Sequence, residues 1–392
     1  MSTPPQLMRQ IDQWFIENQD IQYLLLLGGH QTGKTTLIKR IFPQAFYLSA
    51  SDEASLTILN TCDTNVYHLV CPTHFKTIII DDAHKLSEPD KIAELLIQKF
   101  SVSVILISSL TYYFRKKDIS KLRHLKVLFP LTFSEYLEQI QLTHEYIPSI
   151  TNRILKASNN QIDMESQPFS FEVEPIIQKI IVYGLLPDHM GFFKNPPLHL
   201  AQIIEQTIDD LYQSRLIDSQ DLAKKILIKL ATQVGQLINC ASLSREMNCD
   251  QRTINRYIEI FEEHFIIFRL FPFSTSRNEE ICKSYKVYFY DNGIRNGLIN
   301  SFSEIKYRID KDILLENFII AEFVKENYYL NTGYYFGFWR TKQSAEIEIV
   351  LFNENRLIGI KINNLTKQKN KSFLSHYPYA ELFQVNYPFT WK

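Results

Sequence analysis

The stretch Gly28-Gly29-His30-Gln31-Thr32-Gly33-Lys34-Thr35-Thr36 constrains this chain more than any other. It follows the apolar run Tyr23-Leu24-Leu25-Leu26-Leu27 and leads into the helical pattern Leu37-Ile38-Lys39-Arg40-Ile41. Buried strand, Gly-rich turn and helix is the order a phosphate-binding loop needs, and Gly28, four residues, then Gly33-Lys34-Thr35 meets the Walker A spacing in full. Gly28 and Gly33 accept backbone angles closed to other residues, so successive N–H groups can turn toward phosphate oxygens. The helix that follows adds its unpaired N–H groups and the positive end of its dipole. Residues Gly28 to Thr36 are therefore expected to hold nucleotide phosphates. Lys34 is expected on the β- and γ-phosphates and the Thr35 hydroxyl on Mg²⁺.

A second apolar run, Thr77-Ile78-Ile79-Ile80, ends in Asp81-Asp82-Ala83-His84. A buried β-branched strand that delivers carboxylates at its end is the Walker B arrangement. Asp81 is expected to hold Mg²⁺ through water, and Asp82 to orient the attacking water. Many such sites carry glutamate where Asp82 stands; one methylene less favours binding over fast hydrolysis. Two carboxylates capping a strand are by themselves an ordinary turn, and it is the loop at Gly28 that gives this pair its chemistry. A third run, Ser103 to Ser109, offers Ser109 (or Ser108) as a γ-phosphate sensor, against the simpler reading of a turn residue. Lys34, Asp82 and Ser109 are the catalytic candidates. The basic group Arg115, Lys116, Lys117, Lys121, Arg123, His124 and Lys126 reads as a solvated face rather than a transition-state arginine or a nucleic-acid contact.

At 392 residues the chain exceeds one ordinary core. Hydrophobic residues at 45% and charged residues at 22% describe a globular protein, and a net charge of −1 leaves any nucleic-acid surface to a local patch. The cysteines (Cys62, Cys71, Cys240, Cys249, Cys282) are scattered without a C-x-x-C pair, which argues against a disulfide framework or a zinc site. No apolar run approaches the ~18 residues of a membrane span, and the N-terminus lacks a basic-then-apolar signal. A cytoplasmic protein without membrane contact is expected.

Residues 141–220 read as helices broken near Asn159-Asn160-Gln161 and Phe193-Lys194-Asn195-Pro196-Pro197, a segment able to form a lid over nucleotide. From Asp221 onward three helices precede the β-like run Phe265 to Leu270, with Asp250 as N-cap of the third. This is winged-helix order. Arg252 and Arg256 on the third helix, with Gln251 and Asn255, could meet DNA, whereas Glu259, Glu262 and Glu263 would repel phosphate. Residues 280–392 alternate strands and helices, with Asp291-Asn292-Gly293 read as a turn after the strand Tyr285 to Tyr290. In Ala345 to Phe352, period two puts Glu346 and Glu348 on one face and Ile347 and Ile349 on the other.

In this order, Gly33-Lys34-Thr35-Thr36-Leu37, Ile80 to Lys85, Phe129 to Leu137, Tyr183 to Pro187, Lys286 to Gly293, Leu315 to Phe318, Phe338 to Thr341 and Glu346 to Ile349 resemble the bacterial and archaeal AAA-type ATPases that carry a C-terminal domain of unknown function. The resemblance implies an α/β protein: a P-loop NTPase (AAA-type) core at 1–140, a helical lid at 141–220, a winged helix at 221–273 and a restriction-endonuclease-like domain at 280–392. An active domain of that last type needs an acid, then acid-x-lysine. Glu348 and Lys361 remain but Gly359 replaces the second acid, which implies a degenerate nuclease. Asp81-Asp82-Ala83-His84 also replaces the family's Asp-Glu-Ile-Gln, and the Gly-Arg pair usual before Phe129 is missing, with Arg123 nearby.

The expected function is Mg²⁺-dependent ATP binding and hydrolysis, coupled to a protein or DNA partner. ATP rather than GTP follows from the resemblance and from the lack of an Asn-Lys-x-Asp run. The alternatives are a nucleotide-gated binding module with little hydrolysis, and a DNA-processing protein that uses its C-terminal domain.

Overall fold

The computed structural model describes residues 8–18, 20–70, 74–111, 123–140, 154, 174–187, 195–273, 284–341, 345–362, 368–386 and 390–391. Its N-terminal unit contains α1 (Asp12–Glu17), β1 (Tyr23–Leu27), α2 (Lys34–Ile41), β2 (Phe46–Ser49), α3 (Glu53–Asn60), α4 (Thr64–Val70), β3 (Thr77–Asp81), α5 (Pro89–Phe100), β4 (Ser103–Ser108), β5 (Arg123–Val127) and α6 (Phe133–Gln139). All five residues of β1 are buried, which requires both faces of its sheet to be covered. Leu24 and Leu26 pack with Ile11, Phe15, Leu37 and Ile38 on one side. Tyr23, Leu25 and Leu27 pack with Leu59, Ile92 and Leu96 on the other. The sheet is parallel throughout, in the order β2-β3-β4-β1-β5. Strand β4 thus separates the phosphate-loop strand from the Asp81 strand and ends between them.

Strand β5 lies under part of the expected basic face: Arg123 to Val127 pair with β1 along its whole length, with His124 exposed and Lys126 half-buried. Lys126 Nζ lies 4.3 Å from the Trp14 ring centre, and burial lowers its pKa. Arg115, Lys116, Lys117 and Lys121 lie outside the described residues.

The remainder contains α7 (Glu174–Tyr183), α8 (Pro196–Gln213), α9 (Gln220–Thr232), α10 (Cys240–Met247), α11 (Gln251–Glu263), β6 (Ile267–Pro272), β7 (Lys286–Phe289), α12 (Asn292–Leu298), α13 (Lys311–Leu330), β8 (Tyr335–Arg340), β9 (Glu346–Phe352), β10 (Leu357–Ile362), α14 (Gln368–His376), β11 (Glu381–Asn386) and β12 (Thr390–Trp391). Polar caps start the helices: Asn195, Ser219, Asn239 and Asp250 each accept a backbone N–H of the first turn. The seven strands form one mixed sheet, β12-β11-β10-β9-β8-β6-β7. Strand β6, expected to close the winged helix, pairs with β7 and with β8 and so belongs to this C-terminal sheet. A single apolar core joins Leu131 of the first unit to Leu230, Phe261, Phe289, Phe323 and Val385.

Two further expectations change. Asp291-Asn292-Gly293 is not a free turn but the start of α12, with Asp291 accepting the Ile294 N–H at 3.1 Å. In β9 three steps, Ile347 to Val350, face two steps of β8, Gly337 to Trp339. This bulge at Glu348-Ile349 breaks period two. Ile347 consequently packs with Trp339 and Phe373, and Ile349 with the main core.

Candidate functional site

The phosphate loop bridges β1 and α2. A Cβ on Gly28 would stand 2.2 Å from the Leu128 carbonyl oxygen, so only glycine fits under the start of the loop. Gly33 has φ of 89° and hands the chain to α2, whose first residue is Lys34. Lys34 Nζ donates to the carbonyls of Gly28 (2.9 Å) and Gly29 (2.7 Å) and to Ser109 Oγ (3.1 Å). Burial brings its pKa down to about 8, against the pull of Asp81 and Asp82 in the other direction. Thr35 Oγ1 donates to Asp81 Oδ2 at 2.6 Å, and the Tyr47 hydroxyl donates to the same oxygen at 2.7 Å. Lys34, Thr35, Asp81 and Ser109, drawn from three neighbouring strand ends, therefore meet. Asp82 is beside them in a left-handed backbone conformation (φ 53°). Its carboxylate is turned to Ser51 Oγ, which also receives Lys85 Nζ at 2.8 Å. Thr32 Oγ1 donates to the Gly29 carbonyl at 3.1 Å and so braces the loop internally.

Sequence inspection missed Arg9, Tyr47 and Asp210. Arg9 is buried beneath the loop. Its guanidinium donates to the carbonyl oxygens of Thr32 (2.9 Å) and Phe129 (2.7 Å) and to Glu135 Oε1 (3.1 Å). Glu135 is also the third residue of a capping box with Thr132 at the start of α6. One arginine thus ties the phosphate loop to the Phe129–Leu137 signature. Nothing distinguishes it in sequence from other charges on an amphipathic segment. His30 Nε2 lies 3.2 Å from Asp210 Oδ2 in the last turn of α8. The signature segments Tyr183–Pro187 and Lys286–Gly293 also meet: Leu185 N–H donates to Asp291 Oδ2 at 2.6 Å, and Asn292 Nδ2 to the Ile181 carbonyl at 3.1 Å.

The expected DNA contacts are partly engaged elsewhere. Arg256 is paired with Asp218 and donates to the Leu216 carbonyl at 3.2 Å. Glu262 pairs with Arg269 at 2.7 Å, and Arg252 is exposed. In the C-terminal sheet Lys361 Nζ is salt-bridged to Glu348 and donates to the Glu346 carbonyl at 2.7 Å. Glu346 pairs with Lys286, which also lies 3.7 Å from Glu316. A Cβ at Gly359 would stand 2.8 Å from Phe373 and 3.1 Å from Leu382. A carboxylate at that position would enter an aromatic cluster instead of joining Glu348. Among the described residues, no group of three or more His, Cys, Asp or Glu side chains is arranged to hold a metal ion, and no helix is long and apolar enough to cross a membrane.

Residues 20–137 match the family described as AAA domain. Residues 175–304 and 311–386 match two domains of unknown function, DUF8612 and DUF4143; the first of these runs across the boundaries drawn near 220 and 273. An uncharacterized protein of Methanocaldococcus jannaschii is 22% identical over 337 residues, covering 80% of this chain and 70% of that protein. An uncharacterized protein of Mycobacterium tuberculosis is 26% identical over 135 residues, which cover 34% of this chain and 30% of that protein. Among solved structures, the Walker-type ATPase of Pyrococcus abyssi aligns over 74% of this chain and 94% of its own, with 12% identity and a TM-score of 0.44. A Signal Transduction ATPase with Numerous Domains protein with a tetratricopeptide repeat sensor, from Pyrococcus horikoshii, aligns over 83% of this chain and 48% of its own, with 13% identity and a TM-score of 0.28. This chain therefore carries a P-loop AAA domain over the Walker motifs and, C-terminal to it, a domain of unknown function over the C-terminal sheet.

Proposed function

We propose that this protein binds Mg²⁺–ATP at residues Gly28 to Thr36, hydrolyses it, and passes its nucleotide state to the C-terminal sheet. The observation that carries the reading is the contact of Thr35 Oγ1 with Asp81 Oδ2 at 2.6 Å, beside Lys34 and Ser109. A hydroxyl and a carboxylate on adjacent elements are the hard oxygen donors that suit Mg²⁺. When bound, the ion neutralises charge on the β- and γ-phosphates. Lys34 exchanges the Gly28 and Gly29 carbonyls for phosphate oxygens, a gain for an ammonium that burial has made costly to keep charged. Ser109, already on Lys34, lies within reach of the same phosphate, and Asp82 orients the attacking water.

Coupling is supported by the route from the loop to α13. Arg9 joins Thr32 to Phe129 and Glu135. Helix α13 holds the same segment: Lys325 Nζ donates to the Leu131 carbonyl at 2.7 Å, and Phe133 N–H to Glu322 Oε2 at 2.7 Å. A DNA partner gains no support from Arg256, which has intramolecular partners.

A second reading, nucleotide-gated binding with slow turnover, is favoured by one observation: the carboxylate of Asp82 is short and engaged with Ser51. Single- and multiple-turnover hydrolysis by the wild type, Lys34→Ala and Asp82→Asn, with and without duplex DNA, separates the two. Turnover lost in both variants supports the ATPase. Tight Mg²⁺–ATP binding with no turnover above the Lys34→Ala background supports the gate instead.

A further inference from the structure

We propose that His30 and Asp210 distinguish a nucleoside triphosphate from a diphosphate: His30 exchanges Asp210 for the γ-phosphate, and only a triphosphate frees α8 from the loop. This rests on the Mg²⁺–ATP reading above and adds to it a specificity element outside the Walker motifs.

His30 belongs to the loop itself, two residues after Gly28. Its side chain is 11% exposed and that of Asp210 20%, so the pair is largely withdrawn from solvent. Asp210 occupies the last turn of an 18-residue helix. Unpaired carbonyls make that end the negative pole, the wrong place for a carboxylate without a partner. Its neighbour Asp209 is served by Gln220 at 2.9 Å and Gln213 at 3.4 Å. Burial pushes the Asp210 carboxyl up; His30, whose Nε2 lies 3.2 Å away though not aligned for a hydrogen bond, more than offsets it with smaller help from His84 and Lys85, and the group is held below the ordinary range. His30 therefore supplies most of what keeps Asp210 charged at a helix end that disfavours it.

A second histidine shares this environment. His84, on the stretch that follows Asp81, is 4% exposed. Its Nδ1 lies 3.4 Å from Ser108 Oγ, and its Nε2 is buried without a hydrogen-bond partner. His84 is influenced by Asp82, Asp210, His30 and Lys85, so three separate stretches of chain bring their charges to one place. A cavity of about 40 Å³ lies between loop and helix next to His30, bordered by Gly29, His30, Ile204, Thr207, Ile208 and Phe265.

The exchange follows from charge. A γ-phosphate beside His30 is a stronger acceptor than one carboxylate. Once His30 turns to it, Asp210 faces a multiply charged anion from the negative end of its own helix, and α8 moves away. A diphosphate brings no group to that position and leaves the pair intact.

The test is calorimetric binding of Mg²⁺–ADP and of a non-hydrolysable ATP analogue with Mg²⁺, together with hydrogen exchange over α8. In the wild type, exchange in the last turns of α8 should rise with the analogue and not with ADP. Asp210→Asn should tighten the analogue about fivefold or more while ADP stays within about twofold. His30→Ala should weaken the analogue about tenfold with ADP again little changed. Equal shifts for both nucleotides in both variants, or the same α8 exchange with either nucleotide, overturn the inference and leave the ATP site standing. If neither nucleotide binds the wild type above the Lys34→Ala background, the ATP reading itself falls, and this inference with it.

Discussion

The backbone N–H of Phe129 donates to the hydroxyl oxygen of Tyr329, 200 residues further along the chain, at 2.9 Å. Beside it, Val127 N–H donates to the Tyr328 hydroxyl at 2.8 Å. Two consecutive tyrosines of α13 so satisfy two amides at the C-terminal end of the edge strand β5 and just beyond it. Tyr329→Phe removes the acceptor while Phe129 stays buried. An unmet buried amide costs about 1–3 kcal/mol, which urea unfolding should register. A change within experimental error would mean that another acceptor reaches the edge.

Arg9 and Glu135 form a buried ion pair under the phosphate loop. Arg9→Ala leaves Glu135 charged and unpaired, at an expected cost of about 3–5 kcal/mol. It also frees the Thr32 carbonyl, so nucleotide affinity should fall as well. Arg9→Ala/Glu135→Ala should cost less than the sum of the single variants. Strict additivity in that cycle would show that the two side chains do not act on each other.

His84 makes stability depend on pH. Burial depresses its pKa from 6.5 to about 4, with Asp82 and Asp210 pulling upward and His30 and Lys85 downward. The unfolded chain therefore binds more protons than the folded one between these values. The stabilisation from a neutral buried imidazole is present above about pH 6.5 and is lost as pH falls toward 4. From pH 7 to pH 5 the wild type should lose about 2 kcal/mol more than His84→Gln. Denaturant titrations of both proteins at the two pH values check this, and parallel losses would contradict it.

The buried pair Lys361–Glu348 should behave as a structural element. Lys361→Met strands a carboxylate and is expected to cost about 3–5 kcal/mol, while Glu348→Leu/Lys361→Met recovers most of that loss. Gly359→Glu forces a side chain against Phe373. Its melting temperature should drop without any Mg²⁺-dependent cleavage of plasmid DNA appearing. Cleavage by this variant would mean that the sheet can rearrange into a metal site.

Elements whose pattern and packing agree were legible in the sequence. Strands β1, β3 and β4 are continuous apolar runs because both faces of a parallel sheet are covered. The spacing of Gly28, Gly33, Lys34 and Thr35 marks the strand–loop–helix turn that the structure contains, and Asp250 is the N-cap that its position before a helical stripe predicts. Strand β5 escaped because Arg123, His124 and Lys126 mask it. An edge strand covered by tyrosines from elsewhere does not need a continuous apolar run. Asp291 looked like a turn because its partner, Leu185 N–H, lies 106 residues away. The bulge at Glu348-Ile349 shows only in the register with β8, which no local period contains. Arg9 and Asp210 escaped for the same reason: their roles come from distant partners.

The tyrosine edge has a consequence in time. Strand β5 is made long before Tyr328 and Tyr329, and at synthesis rates of about 5–20 residues per second the 200-residue interval lasts on the order of 10–40 s. Throughout that interval the nascent sheet displays an uncovered margin, a surface to which chaperones or a second nascent chain could attach. Slow synonymous codons placed between β5 and α13 lengthen that interval, and the yield of folded protein should fall with them.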